Sequence, residues 1–174
     1  PEGWHVPSDA EWTTLEEYLI ANGYNYDDTT TENKIAKAMS STTGWDSTTD
    51  LGAIGNDQSL NNSSGFNAFP EGFRFNGGSF NGEGYSAVFW SSTEDNSINA
   101  WDRGLRYNFS FLDRGLSGYK RYGFSVRFVR DSEVDQNDSD NDGDGYTENQ
   151  GDCDDNNSQV NPVATEIEDG IDND

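Results

Sequence analysis

Helical spacing of apolar residues opens this chain, and strand spacing dominates the rest. Pro7-Ser8-Asp9-Ala10-Glu11 reads as a helix start, with Ser8 as cap and Glu11 three residues on to reach back to it. Trp12, Leu15 and Leu19 then line one helical face, and Asn22-Gly23 ends the helix. A second helix is predicted over 31–40, with Ile35 and Met39 on its buried side, Gly44 past its end, and Asp27 and Asp28 near its positive N-terminus. Residues 41–64 are dense in Ser, Thr, Asn, Asp and Gly, so they read as one long loop, functional or wrapped around the core. Short strands follow at Gly65–Phe75, around Phe80 and at Tyr85–Ser92, separated by Asn76-Gly77-Gly78 and Asn81-Gly82. The clearest alternation lies within Phe89–Asp131. There Leu105, Tyr107, Phe109 and Phe111 alternate with Arg106, Asn108 and Ser110, and Phe124, Val126 and Phe128 alternate with Ser125 and Arg127. Such a pattern predicts a sheet with one buried face and one wet face. Two helices followed by many short strands give an α+β fold.

Charge divides the 174 residues. Residues 1–130 hold all ten basic side chains and seventeen acidic ones, whereas 131–174 hold sixteen acidic side chains and no basic one. Twenty-two of the twenty-three aromatics also lie before 131, so only that part can build a large core. The expected organisation is a domain over 1–131 and an Asp-rich segment over 132–174 that needs a cation to offset its ordering entropy. So acidic a surface repels nucleic acid. No apolar run reaches membrane-spanning length. The chain opens inside a motif, Pro1-Glu2-Gly3-Trp4, so it reads as a piece of a longer protein, and the lack of a visible signal peptide says nothing of location. Richness in Asn, Ser, Thr and Gly with few lysines suits a secreted bacterial surface protein.

Between Arg103 and Arg130 there are seven basic residues and one acidic residue, Asp113, within an acidic protein. The candidate ligand-binding strip is Ser92, Glu94, Asn96, Asn99, Trp101, Arg103, Arg106, Tyr107, Arg114, Tyr119 and Lys120. Arg forks and stacked rings there suit an acidic glycan or an acidic partner protein. The alternative is that these cations pair with the domain's own carboxylates. Catalysis finds little support: the single His5 lies in the GWHVP block, and Glu94 with Asp95 or Asp102 would be an arbitrary carboxylate pair. A third reading is a structural repeat of a surface fibre that self-associates.

The acidic segment carries a calcium-loop pattern. Asp138 precedes it; Asp140, Asp142 and Asp144 take positions one, three and five, Gly145 the tight turn, Tyr146 the carbonyl position and Glu148 position nine. Gly151 stands where a bidentate Glu would close the loop, so Asp152, Asp154 or Asp155 must do so. The ligands are all oxygen and the lone thiol, Cys153, is too little for zinc, so calcium is the expected ion.

Five blocks in order carry a resemblance: GWHVPSDAEW (3–12), AKAMSSTTGW (36–45), SGFNAFPEGFR (64–74), FWSSTE (89–94) and GFSVRFVRD (123–131). Together they resemble the Fibrobacter succinogenes major paralogous domain. HVPSDAEW and GFSVR are also similar to blocks of formylglycine-generating-type domains, whose chemistry would need reactive cysteines that 1–130 lacks. The WSST…NAW…R…K…VR pattern resembles the variable region of retroelement-diversified receptors. The resemblance implies a C-type-lectin-like fold with two helices and a small twisted antiparallel sheet. It also implies a non-catalytic binding or adhesion module at the bacterial cell surface or outside the cell. Relatives carry a cysteine where Phe128 stands, which implies that Phe128 packs on Trp4 or Trp12 in place of a disulfide. GDCDDNNSQVNPVATEIEDGIDND resembles an Asp-rich metal-binding repeat of bacterial surface proteins, which implies a disulfide partner for Cys153 beyond Asp174.

Overall fold

The computed structural model describes residues 2–115, 118–131, 140–147, 150–154 and 156–164. The chain divides into two compact units, Trp4–Val129 and a second made of 1–3 with 130–174.

In the first unit, helix α1 spans Asp9–Ala21 and starts as its sequence dictates. Ser8 Oγ accepts the Glu11 N–H at 3.2 Å, and Glu11 Oε2 accepts the Ser8 N–H at 2.8 Å, so two otherwise orphaned amides are paired. Helix α2 is shorter than predicted, Ala36–Met39 only. The reason is Asn25: its amide donates to the carbonyls of Thr29, Thr31 and Glu32, and its Oδ1 accepts the Lys34 N–H. A side chain that ties down these backbone groups holds 29–34 as a loop, and Glu32 takes a left-handed φ of 63°.

The strands are β1 (Trp4–His5), β2 (Glu71–Arg74), β3 (Phe80–Glu83), β4 (Ser86–Glu94), β5 (Asn99–Arg106), β6 (Asp113–Arg114), β7 (Gly118–Tyr119) and β8 (Val129–Arg130). The main sheet runs β3-β2-β4-β5-β6, with β7 also on β5; β1 and β8 form a separate ladder. One junction departs from the expected antiparallel sheet: β2 pairs β4 in parallel, Gly72 opposite Ala87. The long strand predicted from Gly65 shrinks to β2 because Asn67 is left-handed and Pro70 lacks a donor.

The core lies between α1, α2 and one sheet face, built on Trp12, Leu19, Ile35, Met39, Ile54, Phe89 and Leu105. Trp12 and Phe89 are 5.9 Å apart, and Phe66 meets Phe89 edge-on at 5.6 Å. The 41–64 loop wraps this core, contributing buried Trp45, Ala53 and Ile54. It is pinned by Lys37, whose ammonium is buried among the carbonyls of Ala53, Asn56 and Asp57. Two expectations fail at the end of the unit. Beyond β5 the chain turns, so Tyr107 and Phe109 do not continue a strand. Phe128 is 46 % exposed and Val126 44 %, so the second alternation has no buried face, and Trp12 packs on Phe66 and Phe89 instead of Phe128.

Candidate functional site

Strand period divides the sequence-predicted strip between two sheet faces. On β5 the odd positions face α1: Leu105 enters the core, and Arg103 is fully buried. Arg103 therefore cannot serve as an exposed contact. Its Nη1 donates to Asp9 Oδ1 at 2.6 Å, and its Nη2 to Asp9 O and Thr13 Oγ1, both at 3.2 Å. Arg114, opposite Arg103 in the ladder, grips the other side of Asp9, Nη2 to Oδ2 at 2.8 Å, and its guanidinium lies 3.7 Å over the Trp101 ring. The Asp9 carboxyl is thereby held below its ordinary range, by Arg114 first and Arg103 next, against the opposing effect of burial.

Other cations of the strip are also engaged. Lys120 bonds Glu94 at 2.6 Å, and Arg106 meets Asp113 at 3.4 Å while lying over Phe109. Tyr107 pairs with Tyr85, ring centroids 5.2 Å apart. Asn99 sits opposite Tyr119, which is half exposed, and Asn96 Oδ1 caps the Ile98 and Asn99 amides in the β4–β5 turn. Ser92 is exposed, with its N–H on the Pro7 carbonyl. The sheet thus gathers Glu94, Asn96, Asn99, Tyr119 and Lys120 at one end, while Arg103 and Tyr107 are drawn elsewhere. Sequence reading missed Asp9, the carboxylate that organises two of the arginines. Its only signal was a place in the first helical turn. His5 Nε2 lies 2.7 Å from Glu11 Oε1, a packed and hydrogen-bonded imidazole.

In the second unit Asp140, Asp142 and Asp144 each present a carboxylate oxygen, all within 4.8 Å of one another. Backbone amides fix them: Gly143 and Gly145 N–H donate to the two oxygens of Asp140, Asp144 N–H to Asp142 Oδ1, and Tyr146 N–H to Asp144 Oδ1. Gly145 has a φ of 98°, the left-handed turn its position predicts. Asn161 reaches back to Asp144 Oδ2 at 2.9 Å. Asp152 is buried, with Oδ1 bonded by the Asp154 N–H. Among the described residues, Asp142 Oδ2, Asp152 Oδ2 and Thr147 Oγ1 are buried without a hydrogen-bond partner. Burial pushes the Asp142 carboxyl up, and the like charges of Asp144, Asp152 and Asp140 add to it. Crowded carboxylates with unpaired buried oxygens fit a hard cation with oxygen ligands. Asp154 and the Cys153 thiol are exposed. Asp138, Glu148 and Asp155 lie outside the described residues.

A mixed α+β domain is followed in the chain by a unit whose clustered carboxylates could hold a metal ion. The chain belongs to the Fibrobacter succinogenes major domain family, whose model matches residues 1–130. Residues 152–174 match a family model described as a putative metal-binding motif. No curated protein and no solved structure matches the chain. Among the described residues, no helix is long and apolar enough to cross a membrane.

Proposed function

We propose that this chain is a non-catalytic binding module of a bacterial surface protein, displayed outside the cell with a C-type-lectin-like fold, and that calcium clamps its C-terminal unit. The observation that carries the metal reading is the pair of buried, unpaired oxygens, Asp142 Oδ2 and Asp152 Oδ2, within a unit that already gathers three carboxylates. Calcium suits them because every ligand is an oxygen, whereas copper would favour imidazole or thiolate. A loaded clamp stiffens the segment that follows the domain. The ligand of the first unit is a protein or glycan. The test is thermal melting of the whole chain with calcium, with copper(II) and with chelator, alongside protein and glycan arrays. Calcium alone raising the midpoint supports the clamp; no shift, or a shift with copper only, overturns it. A defined array partner supports the binding role.

Self-association is a second reading, favoured by an apolar groove of about 410 Å³ between Trp12, Leu15, Tyr18, Phe66 and Val129, with Trp4 48 % exposed in the same unit. Sedimentation velocity tests it: a monomer at all concentrations removes this reading.

A further inference from the structure

The even positions of β5 face away from α1, where Asp102, Gly104 and Arg106, with Val88 of β4, line a cleft of about 430 Å³. Phe73, Phe75, Tyr122 and Phe124 line it too. Their rings meet edge to face: Phe73 and Phe124 at 5.7 Å and 86°, Phe75 and Tyr122 at 5.5 Å and 90°. All four are half-buried, so this cluster opens on the cleft and is not sealed in the core.

The polar lining is mostly acceptor. Asp102 is 7 % exposed, and its Oδ2 accepts the Gly118 N–H at 2.9 Å. A carboxylate has room for more donors than that. Gly115 lies so close that any Cβ there would collide with the Asp102 carboxylate, so the loop is shaped around this group. Burial pushes the Asp102 carboxyl up, and neighbouring Asp113 adds to it. Asp113 shares the cleft, and among the described residues the one guanidinium lining it, Arg106, already engages Asp113 and Phe109. Two carboxylates against one arginine leave a net negative charge among aromatic rings. A neutral sugar would need free donors as well as acceptors. A cation with N–H or N–CH₃ groups needs only acceptors and rings.

We propose that this cleft binds an alkylammonium group, held by the rings around Tyr122 and Phe124 and neutralised by Asp102 and Asp113. The proposal rests on the binding-module reading and names its ligand class. The group has two sources, a primary amine such as a lysine side chain, or a quaternary amine such as choline.

The test uses the full chain with calcium present, at physiological salt, and follows backbone amides by NMR during titration. The probes are butylammonium, choline and 3,3-dimethylbutan-1-ol, the last being choline's shape without its charge. Saturable shifts of the Gly104, Gly115, Gly118 and Tyr122 amides are expected with at least one cation, about tenfold tighter than with the alcohol. The tighter of the two cations identifies the source. Asp102→Asn, which keeps an oxygen for the Gly118 amide, weakens the cation about tenfold and leaves the alcohol unchanged. If Asp102→Asn does not fold, Tyr122→Ala at the half-buried wall serves and gives the same loss. No saturable shift with either cation, or neither cation binding tighter than the alcohol, overturns the proposal. So does cation binding that shifts other amides, or simple sugars that shift these amides more strongly. Each of those outcomes leaves the binding-module reading standing. That reading fails separately, when the arrays and sedimentation give no partner of any kind.

Discussion

Asp9→Asn is the perturbation that best separates structural from exposed charge in the first unit. The substitution leaves the Arg103 guanidinium fully buried with neutral oxygens as its remaining hydrogen-bond partners, Thr13 Oγ1 and the carbonyls of residues 9 and 102, while the Glu16 and Asp102 carboxylates act on it only through space. Two unit charges about 4 Å apart at an effective dielectric near 20 interact by about 4 kcal/mol. Breaking one partner of a buried pair costs about 3–5 kcal/mol, in the same range. Arg114 is different: its side chain is 47 % exposed, so Arg114→Ala costs about 1 kcal/mol. Arg103→Met removes the charge that needs desolvating and leaves Asp9 with Arg114, so it costs less than Asp9→Asn. At about 4 °C per kcal/mol, Asp9→Asn lowers the melting temperature by about 12–20 °C. Urea unfolding followed by tryptophan fluorescence, in saturating calcium, gives the free energies. The pH dependence supplies an independent sign. Asp9 is held below its ordinary value in the folded unit, so its contribution is present above the unfolded carboxyl value of about 3.9 and is lost as pH falls through the lower folded value. Asp9→Asn therefore flattens the acid limb of the stability curve. An Asp9→Asn loss no larger than that of Arg114→Ala, or an unchanged acid limb, refutes the reasoning.

Further outcomes follow from single contacts. Lys37→Met strips the donors from the carbonyls of Ala53, Asn56 and Asp57 and costs about 1–3 kcal/mol, with faster proteolysis inside 41–64 as the companion readout. Phe128→Ala shifts the melting temperature by less than about 4 °C, because the ring is half exposed; a larger fall shows that it packs after all. The Asp27 carboxyl titrates at about 2, held there by the Thr29 hydroxyl first and by Lys34 second. In an NMR titration Thr29→Val therefore raises it further than Lys34→Ala does; the reverse order contradicts that ranking.

What the sequence made legible was local. The Ser8–Glu11 box, the buried Trp12 and Leu19, the buried Ile35 and Met39, and the Asp140–Asp142–Asp144 spacing are short-range patterns, and short-range patterns are written in consecutive residues. What failed was set by distant partners. The second helix is cut short by Asn25, four to seven residues upstream of the carbonyls it ties. Arg103 reads like any arginine on a wet strand, yet a carboxylate 94 positions away draws it into the interior. The strip was a list along the chain, and period-two geometry sent alternate members to opposite faces. Asp102 was weighed only as half of an arbitrary carboxylate pair, and its place among the rings escaped notice for the same reason: Phe73, Asp102 and Phe124 are far apart in sequence and meet only in the folded unit.

The proposed calcium clamp of the C-terminal unit draws on a carboxylate set that includes Asp152. The most direct measurement is a calorimetric titration of calcium into the chelator-stripped chain, beside Asp152→Asn and the exposed Asp154→Asn. Saturable binding is expected, weakened at least tenfold by Asp152→Asn, since one proposed ligand is lost, and much less by Asp154→Asn. Absence of binding would rule out the calcium clamp, and equal affinity for Asp152→Asn and the unaltered chain would rule out Asp152 as a ligand.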